Sequence, residues 1–133
     1  MTPRLVLVAG PYRSGTDGDP ARIAANLHRL EAAALAVYRR GHVPMIGEWV
    51  SLPLAAAAGS TQVGDAVSET FLYPAAHRLL RRCDAVLRID GASRGADADV
   101  ALARELGKPV YFAVDEMPVA QDDSADLASV GAG

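Results

Sequence analysis

The chain has 133 residues, half of them hydrophobic, with a formal net charge of −3 and one cysteine. That length suits a single domain, and the apolar content excludes wholesale disorder. With an acidic balance and only 5% aromatic residues, it offers neither the basic face nor the stacking platforms of a protein that binds nucleic-acid polymers. Cys83 has no second cysteine to pair with; it reads as a small buried apolar residue, and cysteine metal clusters are excluded. The apolar run from Leu5 to Ala9 is too short for a signal-peptide core, and no stretch approaches the ~20 apolar residues of a membrane span. The expectation is a cytoplasmic protein without membrane contact.

Leu5 to Ala9 is uninterruptedly apolar, which suits a strand buried on both faces. Asp19 is a natural N-cap and Pro20 fits the first helical position. Ile23, Leu27, Leu30, Ala34 and Val37 then recur at helical spacing over 21–40, and Gly41 ends the helix. Residues 42–46 read as a second strand, shortened by Pro44. Pro53, Gly59, Ser60 and Thr61 make 48–64 a loop, with a short helix over Leu54 to Ala58. Asp65 caps a helix to Tyr73, which Pro74 kinks or restarts before it continues to Arg82. Ala85 to Ile89 is a third strand, Ala96 to Leu106 a helix ended by Gly107, and Pro109 to Val114 a fourth strand. From Asp115 the residues are small, acidic and aperiodic. The pattern therefore divides the chain into a domain, 1–114, and a tail, 115–133, ordered only if it packs on a neighbour.

Strands alternating with helices imply an α/β fold: one doubly wound, flavodoxin- or Rossmann-like parallel sheet of four to five strands, with helices on both faces. Such sheets bind ligands beyond the carboxyl ends of their strands, where the strand order reverses. The residues falling there are Gly10 to Thr16, Met45 to Trp49 and Asp90 to Asp99.

Gly10-Pro11-Tyr12-Arg13-Ser14-Gly15 matches neither the P-loop nor the dinucleotide fingerprint. Its glycines let the backbone approach a ligand, and Tyr12, Arg13, Ser14 and Thr16 supply donors; the alternative is a plain strand-to-helix turn. Ser93 is either a simple N-cap or, with Arg94, Gly95 and the first N–H groups of the helix, an anion cradle. Asp97 and Asp99 either complement the helix dipole or reach a ligand. Two residues apart, they point in different directions, so only one faces the crevice. Glu48 can hydrogen-bond a sugar or act as acid or base, and Trp49 can stack on a base or cover the core. Glu69 reads as solvated. His28, His42 and His77 lack metal-ligand spacing and read as surface residues; no metal or cofactor is implied. Arg78, Arg81 and Arg82 compensate a helix dipole.

Several of these segments carry a resemblance. They are the strand into Ala9-Gly10-Pro11-Tyr12, the helix end Arg40-Gly41-His42-Val43-Pro44, and the run Cys83-Asp84-Ala85-Val86-Leu87-Arg88-Ile89. Ser93-x-Gly95-Ala96-x-x-Asp99 and Gly107-Lys108-Pro109-Val110 complete the set. From Leu5 to Tyr111 the chain resembles the nucleoside 2-deoxyribosyltransferase superfamily, most closely its short bacterial and phage branch. The resemblance implies a hydrolase or transferase that cleaves the N-glycosidic bond of a nucleoside or nucleotide. Asp99 would act at the anomeric carbon, Tyr12 would orient that carboxylate and Ser93 would contact sugar or phosphate. The full binding set is Gly10, Pro11, Arg13, Ser14, Ser93, Arg94, Gly95, Asp97 and Trp49, with Glu48 beside Asp99 and Tyr12 in the chemistry. A homo-oligomer is also implied. Two positions depart from the family: Asp99 is one methylene shorter than its glutamate, and Ala76 stands where it has an aspartate. The alternative is a nucleotide-sensing module of the same fold without chemistry.

Overall fold

A computed structural model describes residues 1–121. Its elements, in chain order, are β1 (Leu5–Ala9), α1 (Pro20–Arg39), β2 (Val43–Ile46), α2 (Glu48–Ala57), α3 (Ala66–Arg82), β3 (Ala85–Arg88), α4 (Arg94–Glu105) and β4 (Val110–Tyr111), followed by a 3₁₀ turn, Val114–Glu116. All strands are parallel, in the order β2-β1-β3-β4. The fold is therefore α/β with one four-stranded parallel sheet and four helices.

The central place of β1 follows from its composition, since only an unbroken apolar strand can be buried on both faces. Val6 and Val8 pack with Leu30, Ala34 and Val37 of α1, with Ile46 and with Leu87. Leu7 and Ala9 point the other way and pack with Leu80 of α3, Val86, and Ala96 and Ala103 of α4. Cys83 belongs to this second cluster, as expected of a small apolar residue, and burial pushes its thiol up to about 11.

The capping residues act as their chemistry dictates. Asp19 accepts from the Ala21 N–H ahead of Pro20, and the Ser93 hydroxyl accepts from the Ala96 N–H. Asp65 does most: it takes the N–H groups of Ser68 and Thr61 and the hydroxyl of Ser60, and these bonds hold its carboxyl well below the usual range. Lys108 donates its ammonium to the Leu80, Arg81 and Cys83 carbonyls, closing the other end of α3.

Four expectations need correction. The stretch from Glu48 is not a loop: α2 starts there at once and continues past Pro53 to Ala57. Proline removes only one backbone donor, and α2 packs along α3. Pro74 likewise does not divide α3, which is one helix. Residues 115–121 are not tail-like. Met117 and Ala120 are buried, Arg40 donates to the Met117 and Asp115 carbonyls, and Ala120 N–H donates to the Arg40 carbonyl. The Ala120 carbonyl passes so close to Gly41 (φ +96°) that a Cβ there has no room. Residues 122–133 of the expected tail lie outside the described part. Finally, His42 is not at the surface: it is buried, accepts the Arg4 N–H at Nδ1 and has Nε2 2.7 Å from the Pro118 carbonyl.

Two stability predictions follow from this packing. Met117→Ala should cost about 2–5 kcal/mol in urea unfolding, because a fully buried side chain leaves a cavity. Asp65→Ala should lower Tm at pH 7. Because the folded carboxyl titrates below its unfolded value, that deficit should begin to shrink below about pH 4 and vanish once pH falls through the depressed folded value. Thermal unfolding across an acid series measures it.

Candidate functional site

Parallel strands deliver their following loops to one edge of the sheet, and three of these loops enclose a cavity of about 140 Å³. The loop after β1 brings Gly10, Tyr12, Arg13 and Ser14; the turn after β2 brings Gly47 and Glu48; the start of α4 brings Ser93, Gly95, Ala96 and Asp99. The fourth wall is a stripe of α3: Glu69, Leu72, Tyr73 and Ala76. Ser14, Tyr73, Ser93 and Gly95 also border an adjoining surface groove of about 500 Å³, together with Pro11, Asn26, Arg29 and Arg94. The site thus has a small inner chamber and a wider, donor-rich approach.

Local packing explains this shape. Ile89 and Leu30 fill the space where a side chain at position 10 would stand, so Gly10 serves close packing as well as access. The Asn26 amide donates to the Tyr12 carbonyl at 2.8 Å, tying the first loop to α1. The Thr16 hydroxyl, fully buried, donates to the Arg13 carbonyl at 2.6 Å. Arg13 itself pairs with Glu69 across the site. Ala76 sits against Gly47, 3.4 Å from where a Cβ would lie, which brings α2 and α3 together at the cavity wall.

Two carboxylates dominate the electrostatics. Asp99 is 8% exposed. Burial and then the charge of Glu48 push its carboxyl up to about 7, with Arg88 opposing. Glu48, the first residue of α2, is raised by burial, while its own backbone N–H pulls the other way. The Tyr12 phenol is raised by burial and by the charge of Glu48, and lowered by Arg13. The His77 imidazole stands on α3 with Nε2 3.5 Å from Asp99 Oδ1, and its ring lies edge-on to Tyr73.

The residues named from the sequence divide three ways. Gly10, Tyr12, Arg13, Ser14, Glu48, Ser93, Gly95 and Asp99 line the inner cavity, while Pro11 and Arg94 line only the outer groove. Asp97 and Trp49 line neither. Asp97 points outward and pairs with the buried Arg88 at 3.0 Å, so Asp99 is the one of the two that faces the crevice. Trp49 neither covers the core nor reaches the cavity: it is 40% exposed and donates to Glu31 on α1. Of the α3 wall, the sequence reading had only Ala76, through the resemblance, and missed Glu69, Leu72 and Tyr73. Glu69 is paired rather than simply solvated, and His77 is half-buried beside Asp99 rather than a plain surface residue. The signal was present: 69, 72, 73 and 76 follow the i, i+3, i+4, i+7 spacing of one helical face, which the expected break at Pro74 hid.

Among the described residues, no group of His, Cys, Asp and Glu is arranged to hold a metal ion, and no helix is long and apolar enough to cross a membrane. Comparison with protein-family models finds no match, and comparison with the curated proteins finds none either.

Removing the charge of Glu48 should relax Asp99. Glu48→Gln should lower the Asp99 titration midpoint, read by carbon NMR of labelled aspartate carboxyls, while burial keeps it above the ordinary value of about 3.9.

Proposed function

We propose that this chain cleaves the N-glycosidic bond of a nucleoside or nucleotide, as a hydrolase or as a transferase to a second base. The observation that carries the reading is the pair Asp99 and Glu48: two carboxylates, both raised by burial, in one small chamber at the carboxyl ends of the strands. Breaking a glycosidic bond develops positive charge on the sugar and negative charge on the leaving base. A low-dielectric chamber with one ionised and one protonated carboxyl complements both.

In this reading Asp99, in its ionised form, stabilises the oxocarbenium-like sugar. The C1′–N bond breaks with its electron pair passing to the base nitrogen, which takes the Glu48 carboxyl proton. Water, or the nitrogen of an incoming base, then adds to C1′ and returns its proton to Glu48. Tyr12 lies near enough to Glu48 for the carboxylate to raise its phenol, and so is suited to hold that group in place. Ser14, Ser93 and Arg94 border the outer groove and offer donors to a phosphate. The resemblance over Leu5 to Tyr111 supports the same chemistry.

A second reading, a nucleotide-binding module without turnover, is favoured by one observation. Ala76 lines the chamber and carries no proton donor.

Chromatography of the protein incubated with nucleosides and nucleoside monophosphates, ribo and deoxyribo, tests the proposal. Free base should appear from at least one substrate. Asp99→Asn should slow its release about 100-fold or more, and the rate should be bell-shaped in pH, since one carboxyl must carry a proton and the other must not. Thermal stabilisation by a nucleotide with no base released would instead establish the binding module.

A further inference from the structure

The chemistry just proposed needs Asp99 ionised while Glu48 keeps its proton, yet the surroundings so far described push the other way. Asp99 is the more deeply buried of the two, and the Glu48 charge opposes its ionisation. Glu48 begins a helix, where a negative charge is favoured. A hydrogen-bond donor aimed at Asp99 would oppose that push.

Three groups bear on Asp99 from the elements around it: Glu48 from α2, Arg88 from β3 and His77 from α3. Glu48 repels its charge. Arg88 attracts it, but that guanidinium is bonded to Asp97 and to the Ile89 carbonyl. His77 is different. Its Nε2 and the Asp99 Oδ1 are each buried, each without a hydrogen-bond partner among the described residues, and they face each other at 3.5 Å. Buried polar atoms are rarely left unsatisfied, so two that face each other at 3.5 Å are placed to satisfy one another through a small side-chain rotation. Nitrogen must be the donor toward an ionised carboxylate.

We infer that His77 is the positioning residue for Asp99: its Nε2–H donates to Oδ1, fixes the carboxylate rotamer and favours the ionised carboxylate that the chemistry needs. The donor stabilises the anion whether the imidazole is neutral or charged, and more strongly when charged. The inference rests on the N-glycosidase reading for its role in the chemistry, although the pair itself can be tested without any substrate.

The test is carbon NMR of protein labelled at the aspartate carboxyls, with the Asp99 signal identified by its loss in Asp99→Asn. The His77 side chain is 37% exposed, so its replacement should leave the fold intact, as circular dichroism will show. His77→Ala should raise the Asp99 midpoint by about one unit, and His77→Gln, which keeps an N–H at similar reach, should restore most of it. Where base release is found, its ascending pH limb should move by the same amount. Coincident Asp99 titrations in wild type and His77→Ala would overturn the role of His77, even if the protein releases base. A clear shift with no base released from any substrate would support the pair and overturn the N-glycosidase reading alone.

Discussion

Parallel pairing of β1 with a strand on each side is the constraint from which the rest of the structure follows. Val6 to Ala9 are buried because both faces of β1 are covered and both edges paired. A parallel neighbour can be reached only by a crossover, so α1 carries the chain to β2 on one edge, and α2 and α3 carry it back to β3 on the other. Each crossover leaves from the same, carboxyl, edge of the sheet. The loops after β1, β2 and β3 therefore meet, although Gly10, Gly47 and Ser93 are far apart in sequence.

That convergence sets the electrostatics. Beside the polar residues, the walls brought together include small or apolar ones, Gly10, Gly47, Leu72, Ala76 and Ala96. In such surroundings an ionised carboxyl loses hydration without automatic replacement, which is why Asp99 and Glu48 are both raised. Asp97, two residues from Asp99 on the same helix, faces solvent and Arg88 instead. One turn of α4 thus holds two aspartates in different surroundings, one an outer brace between β3 and α4, the other a buried carboxyl lining the chamber.

The walls of the chamber are also tied together from outside. Arg13 reaches from the first loop to Glu69 on α3, and Asn26 anchors the same loop to α1. Asp65 and Lys108 close the two ends of α3, the helix that carries Glu69, Tyr73 and His77. The geometry around Asp99 therefore depends on caps at positions remote from it. Stability and site precision are coupled through one helix.

Local signals were enough to read much of this from the sequence. The unbroken apolar run of β1, the period of α1, the caps at Asp19, Asp65 and Ser93, and the strand–helix alternation determine a parallel α/β sheet, and with it the edge that carries the candidate site. Those signals act over a few residues or one helical turn, so they survive without tertiary information. The extent of α2 and the continuity of α3 were not legible, because Pro53 and Pro74 oppose helix locally and only packing of one helix on the other overrides that preference. The fate of His42, of Met117 and of the segment to Gln121 was hidden for a similar reason. Their burial depends on Arg4, Arg40 and Gly41, partners brought close only by the fold. Which aspartate faces inward, and that His77 meets it, were decided by how α3 lies against α4, since the side-chain directions of two helices become related only when they pack.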